Sequence, residues 1–259
     1  MRGKWVPFIA VISGLSCLLW IVGLGWSLYD YFNEPKKSPA IETPDIESAE
    51  EGKDRFDIVA LGDSLTRGTG DPTGKGYVGD LVENLKKKSD RKMLLSNFGI
   101  KGQTSAQLAN QVKQKELQRQ IKKADIILIT IGGNDLFRGG QTLENLNIQD
   151  VKKLEENYLQ NLKGILSNLR SANSEATIFL IGLYNPFIEL DDAKLTSKIV
   201  RDWNYESAEV SAKYPKTVFV PTFDLFQLKA DDYLYTDKFH PNAKGYQLIA
   251  ERVASLITW

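Results

Sequence analysis

His240 is the one histidine in a chain of 259 residues. Imidazole is the side chain that exchanges a proton nearest neutral pH, so a reaction here that needs a neutral-pH general base has a single candidate. Asp237 stands three residues before it, in Tyr235-Thr236-Asp237-Lys238-Phe239-His240-Pro241-Asn242. Far upstream, Ser64 follows an apolar, β-rich run in Leu61-Gly62-Asp63-Ser64-Leu65. A neutral hydroxyl is a poor nucleophile until a base takes its proton. An aspartate that holds the ring in one tautomer also stabilises the imidazolium that then forms. Together the three describe acyl transfer, with Ser64 as nucleophile, His240 as base and later acid, and Asp237 as orienter.

Residues so far apart meet only if the elements between them bring them to one place. Short apolar runs at 56–61, 93–98, 125–131, 177–183 and 218–220 predict five strands. Amphipathic stretches at 78–88, 104–122, 149–171, 193–213 and 243–258 predict helices. Strands alternating with helices imply an α/β domain of three layers, α/β/α, with a five-stranded parallel sheet covered on both faces in the flavodoxin-like manner. Ligands of such sheets sit at the carboxyl ends of the strands. Gly62-Asp63-Ser64-Leu65, Asn97-Phe98-Gly99 and Gly132-Gly133-Asn134-Asp135 fall at the ends of the first three predicted strands, and Asp237 and His240 fall in the last loop. The topology is expected to gather all four at one edge.

Those four blocks, in this order, resemble the GDSL (SGNH) hydrolases. Gly62-Asp63-Ser64-Leu65 matches the motif that names the family, and Gly99 in Ser96-Asn97-Phe98-Gly99-Ile100 matches its second-block glycine. Gly132-Gly133-Asn134-Asp135 matches the third block, and Asp237-Lys238-Phe239-His240-Pro241 the last. The resemblance covers residues 54–259 and implies the SGNH hydrolase fold, with no cofactor and no metal. It also implies an oxyanion hole made of the Ser64 and Gly99 backbone N–H groups and the Asn134 side-chain amide. Losing one such donor typically costs about 10²–10³ in kcat. Asp63 is expected to make a structural hydrogen bond to nearby backbone rather than to react, and Asp135 to be a loop or helix-start residue.

Composition excludes other classes. Lys plus Arg equals Asp plus Glu at 33 each, and this balance argues against nucleic acid as the main partner. Cys17 is the one cysteine, so neither an internal disulfide framework nor a Cys/His zinc cluster is expected. Gly74-Lys75-Gly76-Tyr77-Val78-Gly79 has the G-x-G-x-x-G spacing but begins about a dozen residues beyond the first strand, so it does not make a dinucleotide site. Gly76 stands where a Walker A motif needs Ser or Thr after Lys75, and the 68–76 segment is expected to be a flexible rim. The context of Ser64 is not G-x-S-x-G, so an α/β-hydrolase elbow is not supported.

Residues 5–29 form an uncharged stretch of 25 residues, flanked by Trp5, Trp26 and Tyr29. At about 1.5 Å per residue this is long enough for a bilayer of roughly 30 Å, so residues 1–29 are expected to be a membrane anchor. Residues 30–53 carry seven acids against three bases, with Pro35, Pro39 and Pro44, and are expected to be a disordered acidic linker. The expected protein is a single-pass, membrane-anchored serine esterase or lipase whose catalytic domain, residues 54–259, faces away from the cytoplasm. Its substrate would be a small-molecule or lipid acyl ester, lipid-derived or from the envelope. Leu136, Phe137, Tyr184 and Phe187 follow the third and fourth strands and are expected to line its acyl pocket. Two alternatives are an O-acetyltransferase acting on an envelope polymer and a catalytically silent envelope-binding module.

Overall fold

A computed structural model describes residues 13–14, 16–24, 54–144, 147–189 and 191–258. The chain divides into two units, Met1–Glu51 and Gly52–Trp259. In the first, the described residues are helical and expose Leu18, Leu19, Trp20, Ile21, Val22 and Leu24. The expected span over 5–29 lies largely, and the linker over 30–53 wholly, outside the described residues. Among the described residues no helix is long and apolar enough to cross a membrane.

The second unit is built on strands β1 (Arg55–Gly62), β2 (Lys92–Asn97), β3 (Ile126–Thr130), β4 (Thr177–Ile181) and β5 (Thr217–Val220). They form one sheet in the order β2-β1-β3-β4-β5, with every pairing parallel. The expected five-stranded fold class is therefore the observed one. β3 reads Ile-Ile-Leu-Ile-Thr and is buried at every position, which is what a strand covered on both faces requires. Side chains alternate between faces along each strand. Val59, Leu61, Ile127, Ile129, Ile178 and Leu180 enter one core, while Ile58, Ala60, Ile126, Leu128, Phe179 and Ile181 enter the other.

The helices that hold the site and cover most of these cores are α1 (Ser64–Arg67), α2 (Gly76–Lys86), α3 (Ser105–Gln111), α4 (Lys115–Lys123), α5 (Gly133–Phe137), α6 (Ile148–Ala172), α7 (Ala193–Ser211) and α8 (Ala243–Leu256). α2 and α8 cover one face; α3, α4, α6 and α7 cover the other. In α6, Tyr158, Leu162, Ile165, Leu166 and Leu169 recur at helical spacing and are all buried.

The helix expected over 104–122 is two helices. Leu108 and Val112 are buried, and so are Leu117 and Ile121. Each pair has the i, i+4 spacing of one helix face, but at about 100° per residue a continuous helix would turn the second pair away from the first. The turn at Lys113 and Gln114, where Gln114 is extended (φ −68, ψ 134), restores the phase so that both pairs face the sheet.

Candidate active site

β1 delivers Ser64 through a turn that only glycine can make. Gly62 has φ +123, and a Cβ on it would lie 1.9 Å from the carbonyl oxygen of Thr130 on β3. The next N–H, that of Asp63, donates to that same oxygen at 3.0 Å. Asp63 then caps α1, accepting the Leu65 N–H at 3.0 Å and the Thr130 hydroxyl at 2.8 Å. Beneath it the Thr66 hydroxyl donates to the Leu61 carbonyl at 2.9 Å and meets the buried Tyr77 hydroxyl at 3.2 Å. Burial pushes the Asp63 carboxyl up to about 6, and Asp135 adds to the push, against the opposing hydrogen bonds from Leu65 and Thr130. Asp63 is thus a buried support under the nucleophile turn.

His240 comes from the loop between β5 and α8. Asp237 Oδ1 accepts the backbone N–H groups of Phe239 at 3.0 Å and of His240 at 2.9 Å. The turn needs Lys238 in the left-handed region (φ 54), an uncommon place for a residue with a side chain. Lys238 also pairs with Asp231. Asn242 accepts the Gly245 N–H at 3.0 Å to cap α8 and donates to the carbonyls of Asp232 and Leu234. So held, the His240 ring puts Nδ1 2.6 Å from Asp237 Oδ2 and Nε2 2.8 Å from Ser64 Oγ. Partial burial pushes the Asp237 carboxyl up, but the His240 ring and the N–H groups of His240 and Phe239 outweigh it and hold the group below its ordinary range. The arrangement can pass a proton from Ser64 Oγ to an imidazole already oriented by a carboxylate.

The 68–76 segment, expected to be a flexible rim, is pinned instead. Asp71 accepts the N–H groups of Thr73 and Gly76 and the Thr73 hydroxyl at 2.8–2.9 Å. Partial burial raises its carboxyl, yet these donors hold it below the ordinary value. The Tyr246 hydroxyl of α8 donates to the Thr69 carbonyl at 2.6 Å.

The oxyanion donors implied by the resemblance divide. The Ser64 N–H has no hydrogen-bond partner among the described residues. Asn134, in the first turn of α5, donates from Nδ2 to the Gln103 carbonyl at 2.9 Å, leaving its second hydrogen. Gly99 is a correction. Beyond β2 the chain continues to pair with β1, through Phe98 N–H to the Ala60 carbonyl and Ile100 N–H to the Gly62 carbonyl, both at 2.8 Å. Alternation along an extended chain points the intervening Gly99 N–H to the open edge, where it donates to Asn97 Oδ1 at 2.9 Å. Gly99 is small for another reason: a Cβ there would lie 2.8 Å from the Arg67 backbone nitrogen of α1.

Sequence reasoning passed over Gly102. It turns the chain with φ +76 into Gln103, whose carbonyl Asn134 holds, and its N–H has no partner among the described residues. The Gly102-Gln103-Thr104-Ser105 turn was legible as a glycine just before a helix start. Asp135, half-buried and pushed up by that partial burial, accepts both the N–H (2.9 Å) and hydroxyl (2.6 Å) of Ser105, tying α5 to α3 around this loop.

A cavity beside Ser64 opens between the ends of β3 and β4, and Phe137 and Tyr184 line it. Leu136 does not, for it points into the core and is 1% exposed. Phe187 stands behind the lining, edge-on to Phe137 with ring centroids 5.0 Å apart. Ile131, Leu183 and Phe239 complete the apolar wall. Phe239 was hidden in the sequence by its place inside the histidine motif.

The family model described as the GDSL-like lipase/acylhydrolase family matches residues 60–248. The chain belongs to that family. Members are ester-hydrolysing serine hydrolases, and so is this GDSL-family enzyme. It is 36% identical over 210 residues to the uncharacterized protein YpmR of Bacillus subtilis, covering 79% of this chain and 82% of that one. It is 28% identical over 207 residues to the spore germination lipase LipC of Bacillus licheniformis, covering 75% and 93%. Among solved structures, the lipase Lip_vut3 from a goat rumen metagenome superposes with a TM-score of 0.71 at 25% identity, over 77% of this chain and 96% of that one. Axe2, an acetylxylan esterase from Geobacillus stearothermophilus, shares the fold with a TM-score of 0.63 at 19% identity, over 80% and 97%.

Proposed function

We propose that this GDSL-family enzyme hydrolyses acyl esters through a covalent acyl-enzyme on Ser64, with His240 and Asp237 completing the triad. The observation that carries the reading is the chain of contacts from Ser64 Oγ through the His240 ring to Asp237, at 2.8 and 2.6 Å. Ser64 Oγ attacks the ester carbonyl carbon while His240 Nε2 takes its proton. The tetrahedral oxyanion forms hydrogen bonds with the Ser64 N–H, the Asn134 amide and the Gly102 N–H, which takes the place first expected for Gly99. The imidazolium returns the proton to the departing alkoxide oxygen as the ester C–O bond breaks. Water, deprotonated by His240, then attacks the acyl-enzyme, and the acid leaves as Ser64 recovers its proton.

The uncharged stretch over 5–29 supports an N-terminal anchor in the cell membrane, and the proline-rich acidic stretch over 30–53 supports a tether, with the catalytic domain outside the cytoplasm. An enzyme held there meets envelope and lipid-derived esters. Treating the full chain with a fluorophosphonate probe tests the nucleophile: wild type labels, and Ser64→Ala, equally folded by circular dichroism, does not. An unlabelled wild type that is folded would sink the enzyme mechanism and favour a silent binding module.

A further inference from the structure

The cavity beside Ser64 is small. Its volume is ≈ 20 Å³, close to the roughly 10–15 Å³ that holds one water and far below the roughly 150 Å³ of a cavity that binds benzene. What closes it is a set of three phenylalanines. Phe137 meets Phe187 edge-on at 5.0 Å and Phe239 edge-on at 5.9 Å, while Phe187 and Phe239 lie 6.0 Å apart. Phe137 is 6% exposed and sits at the end of α5, the same short helix that carries Asn134.

The stop cannot retreat through Phe239. The Phe239 N–H is bound to Asp237 Oδ1, and its carbonyl accepts the Tyr184 hydroxyl at 2.6 Å. Its ring also lies edge-on to His240 at 5.1 Å. Tyr184 is in turn stacked on Phe226 at 4.1 Å. A long chain that displaced Phe239 would therefore displace the histidine that must activate Ser64. Phe137 touches this ring set but is hydrogen-bonded to neither Asp237 nor His240, so its side chain sets the depth of the pocket without holding the base.

We propose that this cavity takes the acyl half of the ester and admits only short chains, from acetyl to about butyryl, with Phe137 as the residue that sets the limit. The substrate class is then a short-chain ester rather than a long-chain lipid. The proposal rests on the reading of Ser64 as the residue that is acylated.

The test is kcat/KM of the full chain on p-nitrophenyl acetate, butyrate, octanoate and laurate, with Ser64→Ala as the blank. Forcing extra methylenes into a packed site carries a penalty that predicts at least about a tenfold fall from butyrate to octanoate in wild type. Phe137→Ala should raise the octanoate-to-acetate ratio about tenfold or more. Phe137→Leu, which keeps the site filled, and Phe187→Ala, which loosens the backing, should raise it by smaller factors. Octanoate or laurate turned over as fast as acetate by wild type overturns the chain-length limit alone, leaving the nucleophile in place. So does a ratio unmoved in all three variants. No turnover of any ester, together with no fluorophosphonate labelling of Ser64, overturns the nucleophile reading and this one with it.

Discussion

Ser64 and Asp63 stand on a turn where both are buried, whereas His240 stands on a turn whose Asp237 keeps 41% of its side chain exposed. The first turn depends on distant residues. Gly62 and Asp63 are pressed against Thr130 of the neighbouring strand, and Thr66 bonds back to Leu61 over Tyr77. The second is largely local, since Asp237, Phe239 and His240 bond to one another within four residues. Ser64 is thus placed by contacts across the sheet, while His240 is placed mainly by bonds within its own turn, which docks through Tyr184. A change at the first turn should register as stability, and a change at the second as catalysis.

Three substitutions sharpen or break that contrast. The largest effect is expected from His240→Ala, which should cut kcat/KM for an ester by about 10⁴–10⁶, as loss of a triad member does elsewhere. It should leave the urea midpoint nearly unchanged, because the ring hydrogen-bonds only to Ser64 and Asp237 and the turn keeps its backbone bonds to Asp237 without it. A large loss of stability in this variant would show that the base loop is part of the folding unit and would erase the distinction.

Gly62→Ala comes next and should act the opposite way. Its Cβ cannot coexist with the Thr130 carbonyl 1.9 Å away, and φ +123 is strained for any side chain. Overpacking and backbone strain together predict about 3–5 kcal/mol of lost stability, read by urea denaturation. A stable Gly62→Ala protein would mean that the nucleophile turn yields more easily than its contacts imply.

The smallest effect is linked to pH. Burial raises the Asp63 carboxyl from 3.8 to about 6 in the folded protein. A raised acid stabilises the fold while it is protonated; that contribution is whole below 3.8 and lost as pH rises through about 6. The difference corresponds to about 3 kcal/mol at 1.36 kcal/mol per unit. Asp63→Asn cannot ionise, so the variant should gain about that much relative to wild type between pH 3.5 and pH 8 in urea titrations. An equal stability difference at both pH values would remove Asp63 from the buried support.

Much of this was legible in the chain before any coordinates. Continuous apolar runs such as 126–130 announced a sheet covered on both faces, and the carboxyl-end rule put Ser64, Asn134 and the Asp237–His240 loop at one edge. The misreadings have a common physical origin. The phase slip between Val112 and Leu117 was present in the spacing, but only the need of both pairs to face one sheet turned it into a break. Gly99 carried the right residue type at the end of β2, yet the direction of an N–H along an extended chain depends on which neighbour the strand pairs with. Leu136 and Phe137 are adjacent and both apolar; a five-residue helix sends one to the core and the other to the cavity.

By itself the sequence pointed to the proposed chemistry, because only one histidine exists to serve Ser64 and an aspartate stands within a turn of it. It also determined the layered α/β architecture, because hydrophobic period and length are local properties of a chain. The tertiary structure decided which backbone N–H groups remain unpaired, which phenylalanine closes the pocket, and that the 68–76 segment is held. Those depend on which surfaces approach within a hydrogen-bond length or a ring diameter, and residues far apart in sequence set that distance only when they pack.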